Sequence, residues 1–433
     1  MKRIKIGVIL IYISIFVTFI LWISAKESLS EIISSLFISL NQISALLGSI
    51  LFVWSMILAT RLDFLENLFG GLDKVYKIHR KVSILGAVLI LLHPLTLSLS
   101  SIKRGIYYFL PVHNKTSVNL GVYSFWIFVI AILLTLFVRK IKLPYHLWKQ
   151  THKFLNLAML VALLHVVTIQ SDTSSFSPLG IWMNILIGLG VASGLYKTFF
   201  YNKFGPKYEY KIIKINRYSD IHDIYLKPTI DKLPHKIAQY VYVSFISDRI
   251  SKEEHPYCIT SLPEDDSLRL SIKELGDYTK KLGSLKVGDR ALIYGPYGQL
   301  GKNFNKHNMD SIFIGGGIGI APFLSMFKKA GLTNNGALTS LFYCTKYKKD
   351  AVFEKELEEL AETHENLNYC NQCSREIHCE HLSVKQISEL VRNIKRTNVY
   401  LCGPTRMMVP LSKDLVYAGF SKDNIILEDF EML

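Results

Sequence analysis

Long apolar runs fill the chain as far as residue 200 and then stop. Six of them, at about 4–24, 36–59, 77–100, 118–138, 153–171 and 179–200, are bounded by charges or by Gly, Pro, Ser and Asn. About 20 apolar residues cross a hydrocarbon core of roughly 30 Å, so each run predicts a membrane-spanning helix. From about residue 203 the pattern changes to short alternating runs broken by turn residues. "QYVYVSFIS", "LRLSIKELGDYTKKL" and "VGDRALIYGPYGQL" predict a small antiparallel β-barrel. Later, "DSIFIGGGIGIAPFLSMF" reads as an apolar strand, a glycine cluster and a helix. With strands at "LTSLFYCT" and "TNVYLCGP" it predicts a doubly wound α/β layer. The expected fold class is therefore multidomain. An all-α six-helix transmembrane bundle spans 1–202, an antiparallel barrel 203–305 and an α/β domain 306–433.

Composition adds orientation. The formal charge is +15, which in isolation would suit nucleic acid, anionic lipid or an anionic substrate. Much of the excess flanks the apolar runs, so membrane topology explains it better and no nucleic-acid partner is expected. Lys2, Arg3, Lys5, Arg61, Lys74, Lys77, Arg80, Lys81, Arg139, Lys140, Lys142 and Lys149 fall on one side. Only Lys26, Lys103, Arg104 and Lys115 fall on the other. The rich side is expected to be cytoplasmic, which places both termini and the soluble half inside. A cleaved signal peptide is the alternative for the first run, but the run is long for one and "ISAKES" is a poor cleavage site. The six cysteines form no evident secreted framework, which suits a reducing cytosol.

Histidines change the picture most. His79 and His93 sit 14 residues apart on the third run, and His152 and His165 sit 13 apart on the fifth. A lone histidine in a span is more often an interhelical hydrogen bond, worth about 1 kcal/mol. Four, paired on two helices, point to function. Each pair spans about 20 Å along its helix, one site near each membrane face. Parallel helices match His79 with His152 in depth, and His93 with His165. Two facing neutral imidazoles are what bis-histidine haem ligation requires, whereas structural zinc wants four ligands. Fourteen residues keep His79 and His93 on one face. Thirteen leave His152 and His165 about 140° apart on an ideal helix, so spacing alone does not establish two stacked haems. His113 and His146 read as ordinary polar residues of an outer loop and a charged cytoplasmic segment.

In the soluble half the glycine cluster lets backbone N–H groups approach a phosphate at a helix N-terminus. "CNQCSREIHCEH" offers Cys370, Cys373, His378, Cys379 and His381, for which zinc is an alternative reading. Its cysteines, however, begin on a buried strand.

Two histidine pairs, "HPYCITS", "GGGIGIAP" and "CGP", in that order, resemble the NADPH oxidase and ferric reductase superfamily over nearly the whole chain. That resemblance implies a six-helix haem domain followed by a ferredoxin-reductase-like FAD and NAD(P) module. It implies haem ligation, as two b-type haems, by His79, His93, His152 and His165. His255, Pro256 and Tyr257 match the flavin motif, whose aromatic packs against the flavin ring. Cys258 stands where Thr or Ser is usual and is a weaker hydrogen-bond donor; Thr260 and Ser261 follow the pattern. Lys273, in place of the usual arginine, Gly276 and Thr279 match the pyrophosphate segment. Gly315, Gly316, Gly317, Gly319 and Pro322 match the nicotinamide-nucleotide loop. Cys402, Gly403 and Pro404 match the segment beside the reacting nicotinamide. Phe430 resembles the terminal aromatic that covers the flavin, although Glu431, Met432 and Leu433 follow it here. Ser374 and Arg375, with Lys346, resemble a 2′-phosphate site and favour NADPH, NADH being the alternative.

The function so implied is an NAD(P)H-dependent oxidoreductase, multi-pass in a bacterial inner or plasma membrane. Cytosolic NADPH would reduce FAD, and electrons would pass singly through the inner and then the outer haem. The acceptor outside would be oxygen, giving superoxide, or a ferric or cupric complex. After His93 come Pro94, Leu95, Thr96 and Leu97, without the further polar residue that oxidases of this family often carry there. A third reading is a haem-bearing membrane subunit serving a quinone or a protein partner. The fused flavin module argues against an obligate protein partner.

Overall fold

The computed structural model describes residues 2–428 apart from 101, 139, 142, 144, 170–172, 174–176, 206, 305–308, 334, 335 and 377–381. Two compact units divide at Gly205/Pro206.

In the first unit, six helices among the described residues are long and apolar enough to cross a membrane. They are Ile6–Ser24, Leu36–Leu58, Leu72–Ser100, Thr116–Phe137, Leu147–Thr168 and Pro178–Phe200. The third begins five residues earlier than its apolar run, because Leu72, Asp73 and Val75 are buried despite the flanking charge. The second is the most enclosed, with half its span buried. It lies close against the third: a Cβ on Gly48 would fall 2.9 Å from Ile90 Cγ1, and one on Gly86 would fall 3.1 Å from Leu51 Cβ. Small residues substitute for a hydrophobic driving force between helices in lipid, because they let backbones approach. Polar side chains add bonds between helices: Trp54 Nε1 donates to Ser14 Oγ (2.8 Å), Trp182 Nε1 to Thr18 Oγ1 (2.9 Å) and Ser124 Oγ to the Ala158 carbonyl (2.8 Å). The sixth helix starts on Ser177, whose Oγ accepts from Gly180 N, with Pro178 in the first turn.

The second unit begins with an antiparallel sheet of β1 (Lys207–Tyr218), β2 (Ile221–Pro228), β3 (Tyr240–Ile246), β4 (His255–Cys258), β5 (Leu268–Lys273) and β6 (Arg290–Tyr297). The order is β4-β3-β6-β1-β2-β5. A bridge from Ile259 to Leu270 joins the two edges and closes the barrel. Alternate residues of β3, Val241, Val243 and Phe245, point into its core with Leu270 and Ile293.

Five parallel strands follow: β7 (Ser311–Gly316), β8 (Thr339–Thr345), β9 (Leu367–Cys373), β10 (Asn398–Cys402) and β11 (Ile425–Glu428). Their order is β11-β10-β7-β8-β9. Both faces are covered, so β7 reads as unbroken apolar sequence. Phe313 packs toward Phe323 on one face, and Ile312 and Ile314 toward Met408 and Leu415 on the other. The strand order reverses between β7 and β10. That crevice, beyond the carboxyl ends of the strands, is where such sheets bind ligands.

Candidate functional site

Each of the four span histidines is half-buried and held through Nδ1 by a neighbouring helix. His79 Nδ1 lies 2.9 Å from the Ser55 carbonyl and 3.2 Å from Ser55 Oγ, which also bonds Ser83 Oγ at 2.6 Å. His93 Nδ1 lies 3.1 Å from the Asn41 carbonyl, and the Asn41 carboxamide donates back to the His93 carbonyl. His165 Nδ1 lies 2.7 Å from the Ser117 carbonyl. His152 Nδ1 has a hydroxyl instead, Thr135 Oγ1 at 3.3 Å. A carbonyl can only accept, which puts the proton of His79 and His165 on Nδ1 and leaves Nε2 its lone pair; at His93 the Asn41 carboxamide nitrogen, 3.0 Å from Nδ1, competes with that carbonyl. Metal-ligating histidines are typically held in this way, the other ring N–H donating to a carbonyl. Among the described residues no hydrogen bond reaches any of the four Nε2 atoms.

Across the bundle, His79 is within electrostatic range of His152, and His93 of His165. His79 and His93 share one unbroken helix. His152 and His165 do not. One helix, Tyr145–His152, ends at His152, and the next starts at Phe154. Lys153, the one residue between them, keeps helical dihedrals, φ −66° and ψ −19°. Gly121 lets the His165 ring in, since a Cβ there would fall 2.9 Å from both Cε1 and Nδ1. His113 lies among Tyr107 and Tyr108, with its backbone N–H donating to Asn119 Oδ1. No group of three or more metal-ligating side chains occurs among the described residues. Cys370 packs among apolar side chains, while Cys373 lies buried beside Thr345. His378, Cys379 and His381 lie outside the described residues.

In the barrel, β4 pairs with β3 so that Tyr257 sits opposite Val241, and Pro256 and Cys258 sit opposite Tyr242 and Tyr240. Tyr257 thus turns into the barrel core beside Phe245, where burial raises its hydroxyl pKa. Cys258 is on the opposite face with Tyr240 and Tyr242. Tyr297 joins that face, its ring centroid 5.7 Å from that of Tyr242. His255 stacks on Tyr278 at 4.0 Å, which brings β4 to the helix Asp277–Lys281. Gly276 caps that helix, and Thr279 Oγ1 accepts from the N–H groups of Leu275 and Gly276. Lys273 Nζ pairs with Asp220 at 3.0 Å. Thr260 Oγ1 donates to the Arg269 carbonyl, and Ser261 Oγ accepts from Arg269 N, so both hydroxyls knit the chain after β4 to β5.

At the crevice, Gly317 has φ +56° and open space where a Cβ would stand. Gly315 abuts Ile320, Gly316 abuts Pro404 and Met407, and Gly319 lies against the Cys402 carbonyl. Gly403, at φ +154°, approaches Gly316 Cα to where an added Cβ would be 2.9 Å away. The glycines thus press the β7 turn against the β10 turn, and Pro322 starts the helix Ala321–Leu332. Ser374 N donates to the Thr345 carbonyl and Arg375 N to that of Lys346, which gathers these residues beyond β8 and β9.

Sequence reading missed Glu428. It is buried at the end of β11, opposite Cys402 in register. It is also close enough to Cys258 to help burial push that thiol's pKa well up. The signal was an acidic residue closing an apolar strand in "NIILED". Phe430 lies outside the described residues.

Three family models match in chain order: "Ferric reductase like transmembrane component" over residues 44–163, "FAD-binding domain" over 207–301 and "Oxidoreductase NAD-binding domain" over 313–413. In content and order these domains match the NADPH oxidase and ferric reductase superfamily. The chain carries the FAD and NAD modules of an NAD(P)H-dependent oxidoreductase behind a multi-pass membrane domain. Flavohemoprotein B of Dictyostelium discoideum is 30% identical over 42% of this chain and 47% of that protein. Dual oxidase 1 of Homo sapiens is 27% identical over 39% of this chain and 11% of that protein. The chain thus spans half or less of these relatives. The crystal structure of flavohemoglobin from Malassezia yamatoensis aligns with 92% of this chain and 98% of its own, at 18% identity and a TM-score of 0.51. That likeness is one of fold.

Proposed function

We propose that this chain is a transmembrane electron-transfer enzyme. It oxidises NAD(P)H on the cytoplasmic side and reduces oxygen, or a ferric or cupric complex, on the other. FAD and two b-type haems are its cofactors. The observation that carries this reading is the set of four imidazoles, paired across the bundle at two depths, each fixed through Nδ1 with Nε2 left for a ligand. His79 with His152 would hold the inner haem and His93 with His165 the outer. When bound, these groups and the flavin would convert a two-electron hydride donor into single-electron carriers.

The remaining roles belong to the chain. Ser55 and Ser117 keep the imidazole tautomers that ligation needs, and Asn41 holds the His93 ring in place. Gly315 to Gly319 expose backbone N–H groups and a helix N-terminus to a pyrophosphate. Arg375, with Ser374 and Lys346 nearby, suits a 2′-phosphate and so NADPH. Cys258, Cys402 and Glu428 gather where the barrel meets the switch point, so that nicotinamide and flavin would react there. Burial keeps Cys258 a neutral thiol, able to donate a weak hydrogen bond to a flavin edge. The positive-inside asymmetry supports a cytoplasmic position for both termini and the second unit.

Sidedness tests the proposal. In inside-out vesicles, NADPH added to the medium is expected to reduce an entrapped ferric chelate, followed with ferrozine, or to generate superoxide in the lumen. Reduction confined to the side that receives NADPH would sink it. Oxygen consumption and iron reduction measured on one preparation then separate the two acceptors.

A further inference from the structure

Between the fifth and sixth spanning helices lies a crevice of about 300 Å³ that no part of the proposed electron route uses. Its walls are apolar: Leu157 and Leu160 on one helix, Val191 and Leu195 on the other. Its mouth faces outward, with Phe154 55% and Phe199 66% exposed. Gly190 and Gly194 supply no side chain to fill it, and the π-helical turn Tyr196–Phe200 brings Thr198 to its rim. One end is polar. Gln150 and Lys153 stand there, and Asn156 Nδ2 donates to Thr198 Oγ1 at 2.7 Å.

Lys153 is exposed and makes no ion pair among the described residues. The charge asymmetry puts this end at the cytoplasmic surface, at the level of lipid headgroups.

The geometry points to a binding site for one anionic phospholipid, its phosphate on Lys153 and one acyl chain laid along Leu157, Leu160, Val191 and Leu195. A membrane-facing apolar groove with a cation at its cytoplasmic end fits a tail joined to a negative head. A neutral quinone head gains nothing from Lys153. Lys153 follows His152 directly, so an anion seated there also offsets a positive charge beside the inner histidine pair.

The test is native mass spectrometry of the purified full chain, incubated with equimolar dioleoyl phosphatidylglycerol and dioleoyl phosphatidylcholine. The expected result is about fivefold preferential retention of phosphatidylglycerol, the effect of roughly 1 kcal/mol from one basic residue. Lys153→Gln is expected to bring the two lipids to parity. Leu160→Trp fills the crevice from its open side and is expected to lower retention of both. Equal retention by the parent chain, an unchanged preference in Lys153→Gln, or retention of a quinone in place of phospholipid would overturn the proposal.

Discussion

Arg269 on β5 ties the barrel to the nucleotide-binding layer, and replacing it separates two kinds of ion pair. Its Nε lies 2.9 Å from each Asp223 carboxylate oxygen, and its two terminal nitrogens reach Glu356 at 2.7 and 2.8 Å. Asp223 is fully buried, whereas the Glu356 side chain is 39% exposed. Arg269→Met keeps the length of the side chain and removes the charge. It leaves a buried carboxylate with Ser271 Oγ, at 2.7 Å, as a remaining donor. Breaking a buried pair from one side costs about 3–5 kcal/mol, and the retained Ser271 bond puts the cost near about 3 kcal/mol. Glu356→Gln removes an exposed partner, worth about 0.5–1 kcal/mol.

Hydrogen exchange of the full chain reads both. Amides of β2 and β5 should exchange about 10²-fold faster in Arg269→Met, because 1.4 kcal/mol is about tenfold. Glu356→Gln should change them by about fivefold or less. The spanning helices should be unaffected in both. If Glu356→Gln loosens β2 and β5 as much as Arg269→Met, the burial of Asp223 is not what sets the cost, and the reasoning fails.

Gly121→Ala should cost the outer site its haem, because the new Cβ meets the His165 ring while Ser117 holds Nδ1 in place. Haem content by pyridine haemochrome should fall from two per chain toward one, and full retention would refute the steric argument. The soluble half should weaken in mild acid through His235. Burial holds that imidazole below its usual 6.5, against smaller opposing effects of the Leu233 carbonyl and Glu264 and a lowering by Lys232. The unfolded chain then binds the proton first, so this stability is complete above pH 6.5 and is lost as pH falls toward the depressed value. His235→Gln should flatten that limb in calorimetry at pH 7.5 and 5.5, and an unchanged limb would assign it to another group.

Much of the architecture was legible in sequence, because burial in lipid and burial in a two-faced parallel sheet both demand uninterrupted apolar runs. The histidine pairs stood out because an ionisable group in such a run is costly. What holds them was not legible. Asn41 and Ser55 act through contacts 52 and 24 residues away, and a backbone carbonyl leaves no mark on residue type. The same limit hid the helix boundary at Lys153, which neither proline nor glycine marks. In the barrel, alternation was readable but register was not. One-residue offsets decide which face a strand residue takes, and pairing with β3 turns Tyr257 inward and Cys258 outward. Glu428 escaped notice because its meaning comes from Cys258 and Cys402, far away in sequence.

A dithionite-reduced minus oxidised visible spectrum, with haem quantified per chain, tests the central claim most directly. Two low-spin b-type haems are predicted for the parent protein expressed with ample haem, and one for His165→Ala. A parent chain without Soret absorption, or a His165→Ala chain that keeps both haems, would contradict it.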